Sequence, residues 1–181
     1  QKQYLSMMIP KLRVKEKAAK KRYAGLVYKS DGKEELEITG LEAIRGDWTD
    51  AAREFQKELL LKLFHDEEVE KFIRDYIKKI KEGKLDEKLI YRKSIRKDLK
   101  EYTKTTPPHV KAARKLLKLE SNRIEYYLTI EGPEPISMLK HKIDYEHYIN
   151  KQIKPIAEQI LGVFGKSFED VSGGMTQKKL F

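Results

Sequence analysis

Clusters of histidine and carboxylate residues are where this sequence could bind a metal or transfer a proton. His65 is followed by three acids, Asp66, Glu67 and Glu68. Consecutive residues at the start of a helix do not converge on one ion, and acids in that position stabilise the positive end of the helix dipole. These residues therefore predict a helix start, with Asp66 as its cap, and not a metal site.

A second cluster lies near the C-terminal end, where Asp144 and His147 are three residues apart and His141 is close by. Zinc and hard cations need further ligands in a dry pocket, so the spacing favours a helix cap at Asp144 and an exposed His147. The sequence also lacks a Ser–His–Asp spacing, a glycine-rich phosphate loop and a nucleophile elbow. None of its acids has a setting suited to two-metal phosphoryl transfer. We therefore predict no catalytic residues and no metal ligands in this chain.

The positive charge of the chain is concentrated in two blocks. The 181 residues include 39 lysines and arginines against 29 acids, a formal charge of +10. Residues 1–30 contain nine basic groups and one acid, and residues 91–120 contain ten basic groups and three acids. If the two blocks converge in the fold they favour a polyanion, because neutralised phosphates release counterions. Each block alone is also explained as a solvated, lysine-rich face.

Composition excludes several classes of protein. The absence of cysteine excludes a disulfide scaffold, a cysteine-based zinc site and a thiol nucleophile. No window approaches the roughly 18 apolar residues of a membrane span, and no signal peptide is recognisable. Neither basic block has the broad apolar face of a membrane-surface helix. The lack of cysteine fits a reducing cytoplasm, and we expect no membrane partner.

A β-hairpin is predicted for the first forty residues. Residues 4–12 are apolar and β-prone, residues 23–28 read as a strand, and Ser30-Asp31-Gly32 is typical of a tight turn before a return strand through Leu36 and Ile38. Side chains alternate along a strand, so Lys21 and Tyr23 would share one face. Lys20 and Arg22 would share the other. This arrangement suits contact with a nucleic-acid backbone or minor groove, with an ordinary strand entrance as the alternative.

Helical periodicity begins near residue 49. Thr49 is a plausible N-cap, and an apolar stripe runs from Ala52 through about residue 64. Apolar residues at helical spacing between 69 and 80 predict a second helix, which Gly83 ends.

The second basic block is predicted to lead into a third helix. Its basic residues before that helix are Arg92, Lys93, Arg96, Lys97, Lys100 and Lys104. Thr106 would cap a helix that begins at the two prolines 107–108 and continues to Leu119, with Leu116 and Leu117 facing inward. The N-terminus of such a helix suits a phosphate. A solvated loop beside a capped helix is the alternative.

The last third of the chain predicts a strand and a long helix. Residues 123–130 alternate as a strand, and 131–135 read as a loop. Asp144 would begin a helix kinked at Pro155, with an inward face formed by Tyr148, Ile149, Ile153, Ile156 and Ile160.

From Gly165 the helical pattern ends, and residues 171–174 read as a linker. At the C-terminus, Gln177, Leu180 and Phe181 form a short motif that a pocket on another protein could bind. A frayed end is the alternative.

The order of these segments resembles that of family B DNA polymerases, in particular the bacterial DNA polymerase II group. Lys20-Lys21-Arg22-Tyr23 resembles the KKRY motif of the family, and residues 40–49 look like the segment that leads from palm to thumb. Segments of the thumb and of its last helix are similar to residues 89–93, 101–102, 107–114 and 144–155. Residues 177–181 resemble the sliding-clamp motif, with Lys178 in place of its usual apolar second residue.

This resemblance implies the C-terminal part of a polymerase, with an α+β fold that is mainly α. Residues 1–40 would be a palm-edge β-hairpin, 41–165 a helical thumb with a short β segment, and 166–181 a flexible tail. The expected partners are primer–template DNA, a sliding clamp and the rest of the polymerase chain, in a cytoplasmic, nucleoid-associated enzyme. The resemblance also implies Mg²⁺ for the full-length nucleotidyltransferase, held by carboxylates upstream of this chain.

The resemblance assigns roles residue by residue. Clamp binding would fall to Gln177, Leu180 and Phe181. DNA binding would fall to Lys20, Lys21, Arg22, Tyr23, Arg92, Lys93, Arg96, Lys104, Thr105, His109 and Arg114. A free-standing basic adaptor that binds RNA or an acidic protein is the alternative from a different class.

Overall fold

Two small antiparallel sheets and a set of helices make up the computed structural model, which describes residues 4–8 and 22–173. Each sheet has three strands, in the orders β1-β2-β3 and β4-β5-β6. The strands are β1 (Tyr4–Met8), β2 (Tyr23–Tyr28), β3 (Glu34–Thr39), β4 (Tyr91–Ser94), β5 (Arg123–Thr129) and β6 (Gly132–Pro135). The helices are α1 (Asp50–Phe64), α2 (Glu70–Lys81), α3 (Pro108–Ala113), α4 (Tyr145–Tyr148), α5 (Lys154–Leu161) and α6 (Phe168–Ser172). The predicted α+β class, mainly helical, is confirmed.

The predicted hairpin is the β2–β3 pair, and β1 adds a third strand beside β2. Gly32 occupies the left-handed region at φ +79° in the turn, as a tight turn requires. The central strand β2 buries Ala24 and Leu26 completely. These two residues belong to the same core as the helices, so the hairpin packs directly on the helical part of the chain.

Hydrogen bonds and backbone angles explain where α1 begins and ends. The Thr49 side chain accepts a hydrogen bond from Ala52 N, which confirms the predicted N-cap. Asp66 was expected to cap α2, but it ends α1: it adopts φ +55°, and its N–H donates to Leu63 O while Glu67 N donates to Lys62 O. Aspartate is among the few residues that tolerate this left-handed position, so it closes the first helix there.

Gly83 ends α2 as predicted, at φ +76°. A Cβ at this position would lie 3.1 Å from Tyr145 Oη, a tight contact that would push the tyrosine side chain. The Tyr145 hydroxyl donates to Asp86 Oδ1 at 2.8 Å, which holds that side chain in place.

The second sheet differs from the predicted single strand. Residues 132–135 of the segment expected as a loop form β6, which tolerates its two prolines because it is an edge strand, where a missing N–H breaks no ladder bond. The predicted strand extended to Ile130, but β5 ends at Thr129, and Ile130 lies in the exposed turn between β5 and β6.

α3 is much shorter than the predicted helix to Leu119. It ends at Ala113, and Leu117 is fully exposed. The side chains that α3 buries all lie between Val110 and Ala113. Beyond them, Lys115 Nζ donates to Pro133 O at 2.7 Å, so this part of the chain is tied to β6.

The last long helix is interrupted immediately before Pro155. A π-helical turn, Ile149–Ile153, separates α4 from α5, and Pro155 then lies in the first turn of α5. In that first turn the missing N–H of proline breaks no helical hydrogen bond. Asp144 accepts from His147 N as the predicted cap, and all five residues of the predicted inward face are buried.

A further short helix, α6, lies where the sequence predicted the start of a linker. Ser167 and Asp170 form a capping box at its start. Phe168 and Val171 of α6 are buried in the main core. Their neighbours in the sequence are polar, so this burial could not be read from the sequence. The expectation that ordered structure ends near Gly165 is therefore wrong.

Buried Glu134 of β6 organises the segment that follows the second sheet. Its carboxylate accepts hydrogen bonds from Lys140 N (2.7 Å), His141 N (3.1 Å), His141 Nδ1 (2.5 Å) and Thr129 Oγ1 (3.2 Å). Burial alone would raise the pKa of Glu134, but the hydrogen bonds from Lys140 and His141 outweigh it and lower the pKa to about 2.

The substitution Glu134→Gln should lower the free energy of unfolding at neutral pH by about 2 kcal/mol, because a buried charged acceptor is lost. The folded-state pKa lies below the usual value, so this stabilisation is present at neutral pH and is lost as the pH falls toward the folded-state pKa. Urea unfolding of both forms between about pH 7 and pH 3 should therefore show the difference shrinking with acidity. Exposed Glu131→Gln is the control, and a difference independent of pH would contradict the assignment.

Candidate nucleic-acid interface

The first group of predicted DNA-binding residues, at 20–23, is split by the structure. Lys20 and Lys21 lie outside the described residues. Arg22 is turned inward, with a side chain only 12% exposed and Nη2 2.6 Å from Glu42 Oε1. Tyr23, the first residue of β2, is 38% exposed, so its ring is accessible to a ligand.

Arg92 and Lys93 are neighbours on β4 with different environments. Arg92 forms ion pairs with Asp50 at the start of α1 (3.3 Å) and with Glu125 on β5 (3.7 Å). Lys93 is exposed, and no ion pair joins it to another described residue. Arg92 therefore fastens β4 to α1, while Lys93 presents its charge to solvent.

Arg114 fixes the loop that carries most of the second basic block. Its Nη2 donates to Leu99 O (2.8 Å) and Tyr102 O (2.9 Å), and its Nη1 donates to Thr106 Oγ1 (3.3 Å). One planar guanidinium can make these bonds together because its donors have a fixed fork geometry. Asp98 adds a cap that accepts from Lys100 N at 2.9 Å.

The loop so fixed, residues 95–107, exposes its cations. They are Arg96, Lys97, Lys100 and Lys104. None of them forms an ion pair within the described ranges 4–8 and 22–173.

A small core anchors this loop from below. Buried Ile95 and half-buried Leu99 pack there with Ala112, Ala113, Ile124 and Tyr126. The result is a firmly supported loop with a positively charged surface.

The predicted phosphate site at the start of α3 is not supported. Thr106 does not cap the helix: the N-cap is Pro107, and the Thr106 hydroxyl accepts from Arg114. Two prolines begin the helix without N–H groups, and the N–H groups of Val110 and Lys111 already donate to Pro107 O. Thr105 is exposed, so its side chain remains accessible beside Lys104.

His109 lies half-buried in α3, with its ring 6.3 Å from the Tyr102 ring, edge to face. Burial lowers the pKa of His109, and the positive charge of Lys93 lowers it further. The ring is therefore neutral at physiological pH and offers a hydrogen-bonding group in place of another charge.

The histidine and acid clusters have structural partners. His65, just after α1, has its Nε2 2.7 Å from Oε2 of Glu34, the first residue of β3 in the hairpin. His147 was expected to be exposed, but it is half-buried and its Nε2 lies 2.8 Å from the Tyr91 hydroxyl. Burial lowers the pKa of His147, so the neutral ring accepts this bond. Within the described part of the chain, no three histidine or acidic side chains are grouped so as to bind a metal.

Comparison with known proteins decides the family. The family model described as DNA polymerase family B matches residues 18–163, a range that includes the predicted DNA-binding residues at 20–23 and at 92–114. The chain belongs to DNA polymerase family B.

Relatives of this family B chain come from bacteria and archaea. It is 38% identical to DNA polymerase II of Escherichia coli over 94% of its own length, and 34% identical to DNA polymerase 2 of Aeropyrum pernix over 90%. A DNA polymerase of Thermococcus kodakarensis is 36% identical over 84% of the chain. The family B chain spans 23%, 22% and 10% of these three relatives, respectively.

The sequence did not reveal the polar residues that hold Arg22 of the family B chain in place. Glu42 accepts from Arg22 Nη2 (2.6 Å), Gln56 Nε2 (2.7 Å) and Gln159 Nε2 (3.1 Å). We call these four side chains the Glu42 network. A signal was present in Gln56, a polar residue one position from Phe55 on the apolar side of α1, but its partners could not be read from spacing.

None of the helices in the described ranges has the length and hydropathy needed to cross a membrane.

Proposed function

We propose that this chain is the duplex-gripping part of a DNA-directed DNA polymerase, formed by the palm edge and the thumb. The observation that carries the proposal is the exposed, cationic loop 95–107, which Arg114 and a small core fix in place in a chain of family B. Lysine and arginine side chains on such a support bind the phosphate backbone without reading sequence.

The proposed contacts divide by environment. Lys93, Arg96, Lys104, Thr105 and His109 would follow the duplex backbone, since they are exposed or half-exposed on or beside the loop. Arg92 and Arg114, whose guanidinium groups bond within the protein, would position those contacts.

At the palm edge, Lys21 and Tyr23 would contact the primer end and the minor groove, by resemblance to the family motif, with Lys20 supporting them. Residues 1–40 would belong to the palm and the residues from 41 onward to the thumb. We extend the proposed thumb through α6, because Phe168 and Val171 are buried in the core that the thumb helices form.

The whole polymerase would use Mg²⁺ for nucleotidyl transfer, in which the metal stabilises the developing charge. We assign no residue of this chain to the metal. The remaining polymerase segments would supply its carboxylate ligands, so this chain would contribute to binding and not to the chemical step.

Salt dependence of duplex binding tests the proposed grip. The triple variant Lys93→Gln, Arg96→Gln and Lys104→Gln should bind a primer–template duplex more weakly. The slope of log affinity against log salt should become shallower by about 0.9 for each phosphate that the variant no longer neutralises, or up to about 2.7 in all. Fluorescence anisotropy of the 181-residue chain with labelled duplex, titrated between about 50 and 200 mM salt, measures both quantities.

The matched control carries the same loss of charge on the outer face of α2, as Lys71→Gln, Lys78→Gln and Lys79→Gln. It should keep the slope of the unsubstituted chain. Equal effects in the two triple variants would show that net charge alone drives binding. Tighter binding to a single-stranded RNA than to the DNA duplex would favour the adaptor alternative instead.

We also propose that the C-terminal residues Gln177, Leu180 and Phe181, which lie outside the described residues, bind a sliding clamp. The support is their resemblance to the clamp motif, in which a glutamine and a terminal apolar pair enter a pocket on the partner.

The double variant Leu180→Ala and Phe181→Ala should lose clamp binding, because truncating two buried anchor residues removes several kcal/mol of binding free energy. Surface plasmon resonance with a bacterial sliding clamp measures the loss. Met175→Ala, an apolar truncation outside the motif, should bind as the unsubstituted chain does. Undiminished binding of the double variant would show that the anchor lies elsewhere.

A further inference from the structure

The Glu42 network joins segments that are far apart in the sequence. Glu42 lies in the short turn after β3, Arg22 precedes β2, Gln56 lies in α1 and Gln159 in α5. Glu42 and Gln56 are buried, at 4% and 2% exposure. A charge buried this deeply is tolerated only when it is paired and hydrogen-bonded, and here three side chains supply the bonds.

The bonds continue from the side chains into the backbone of the segment between the hairpin and α1. Gln56 Oε1 accepts from Ala43 N at 2.6 Å, and Arg53 Nε donates to Ala43 O at 3.0 Å. Both polar groups of the Ala43 backbone are therefore bonded to α1, so the segment that follows the hairpin has a fixed path.

Arg22 is committed to this network and does not reach outward. Its Nη2 bonds to Glu42, and its Nε is buried with no hydrogen-bond partner among the described residues. The pKa of Glu42 lies below its usual value. Burial would raise this pKa, but hydrogen bonds from Gln56 and Gln159 and the charge of Arg22 lower it by more. The carboxylate stays ionised and the pair stays charged.

Arg22 and Tyr23 point to opposite faces: the Arg22 side chain is 12% exposed, and Tyr23 is 38% exposed. Successive side chains of an extended strand point to opposite faces, and a slip of one residue would exchange them. With Arg22 held inward by Glu42, Tyr23 faces outward, and its pairing with Thr39 sets its position along the sheet.

We infer that Arg22 is a positioning residue, which Glu42 and Gln159 lock to α5 so that Tyr23 faces the duplex, and that it does not contact DNA. The inference rests on the proposed function for the identity of the ligand. It assigns Glu42, a buried acid in a DNA-binding chain, a favourable role in binding.

Neutral substitutions of Arg22 and of Glu42 distinguish a positioning role for Arg22 from a direct contact with DNA, because the two roles predict different effects on duplex affinity and on its salt dependence. If Arg22 positions Tyr23, then Arg22→Gln and Glu42→Gln should both weaken duplex binding, by about tenfold, with the salt slope of the unsubstituted chain. If Arg22 contacts a phosphate, Arg22→Gln should make the slope shallower by about 0.9. In that case Glu42→Gln, which removes a negative charge, should bind as tightly or more tightly.

Two further variants keep the test decisive. Gln159→Leu changes no charge and removes one bond of the network, so it should weaken binding severalfold if the network positions Tyr23 and leave binding unchanged if it does not. This milder variant decides the question if Arg22→Gln or Glu42→Gln fails to fold, as thermal unfolding would show. Glu35→Gln, at an exposed position of β3, matches the charge change of Glu42→Gln and should not weaken binding.

The outcomes separate this inference from the proposed function. No binding of duplex by the unsubstituted 181-residue chain, even at low salt, would refute the proposed function. Normal binding by that chain, with no loss in Glu42→Gln and Gln159→Leu, would refute the positioning role alone.

Discussion

The buried carboxylate of Glu42 is the interaction on which the arrangement of this chain most depends. It lies where the hairpin, α1 and α5 meet, and it bonds to Arg22 just before the hairpin and to one glutamine on each helix. Removing one partner of a buried ion pair leaves a charge without compensation, which costs more than the pair contributes. The four side chains therefore join the hairpin to α1 and α5 by hydrogen bonds, in addition to the apolar core that these elements share.

A second constraint supports the cationic loop. Tyr91 packs between the main core and the small core, with its ring stacked 5.3 Å from both Tyr126 and Tyr148. Its hydroxyl bonds to His147, and the neighbouring Arg92 pairs with Asp50. The loop is thus attached to the helices through these aromatic contacts, so the backbone that carries its exposed cations has a stiff support.

Periodicity and turn chemistry predicted much of this fold. The stripes of α1 and α2, the inward face of the last helix and the turn at Gly32 follow from short-range spacing, and the structure confirms them. The sequence did not predict β6 or α6, because prolines on an edge strand and a polar capping box resemble loop sequence. The roles of Arg22, Arg92 and Arg114 were not predicted for another reason. Each bonds to a distant residue (Glu42, Asp50 and Leu99, which are 20, 42 and 15 residues away), and spacing along the chain does not reveal which basic side chains fold inward.

The resemblance to family B polymerases therefore identified the family, while the structure separates cations that are exposed from cations that are bonded. Backbone hydrogen exchange of the chain with and without a primer–template duplex tests this separation most directly. The account predicts slower exchange in residues 23–28 and 93–106 on adding duplex, and unchanged exchange in α2. Protection of α2, or no protection of the 93–106 segment at saturating duplex, would contradict it.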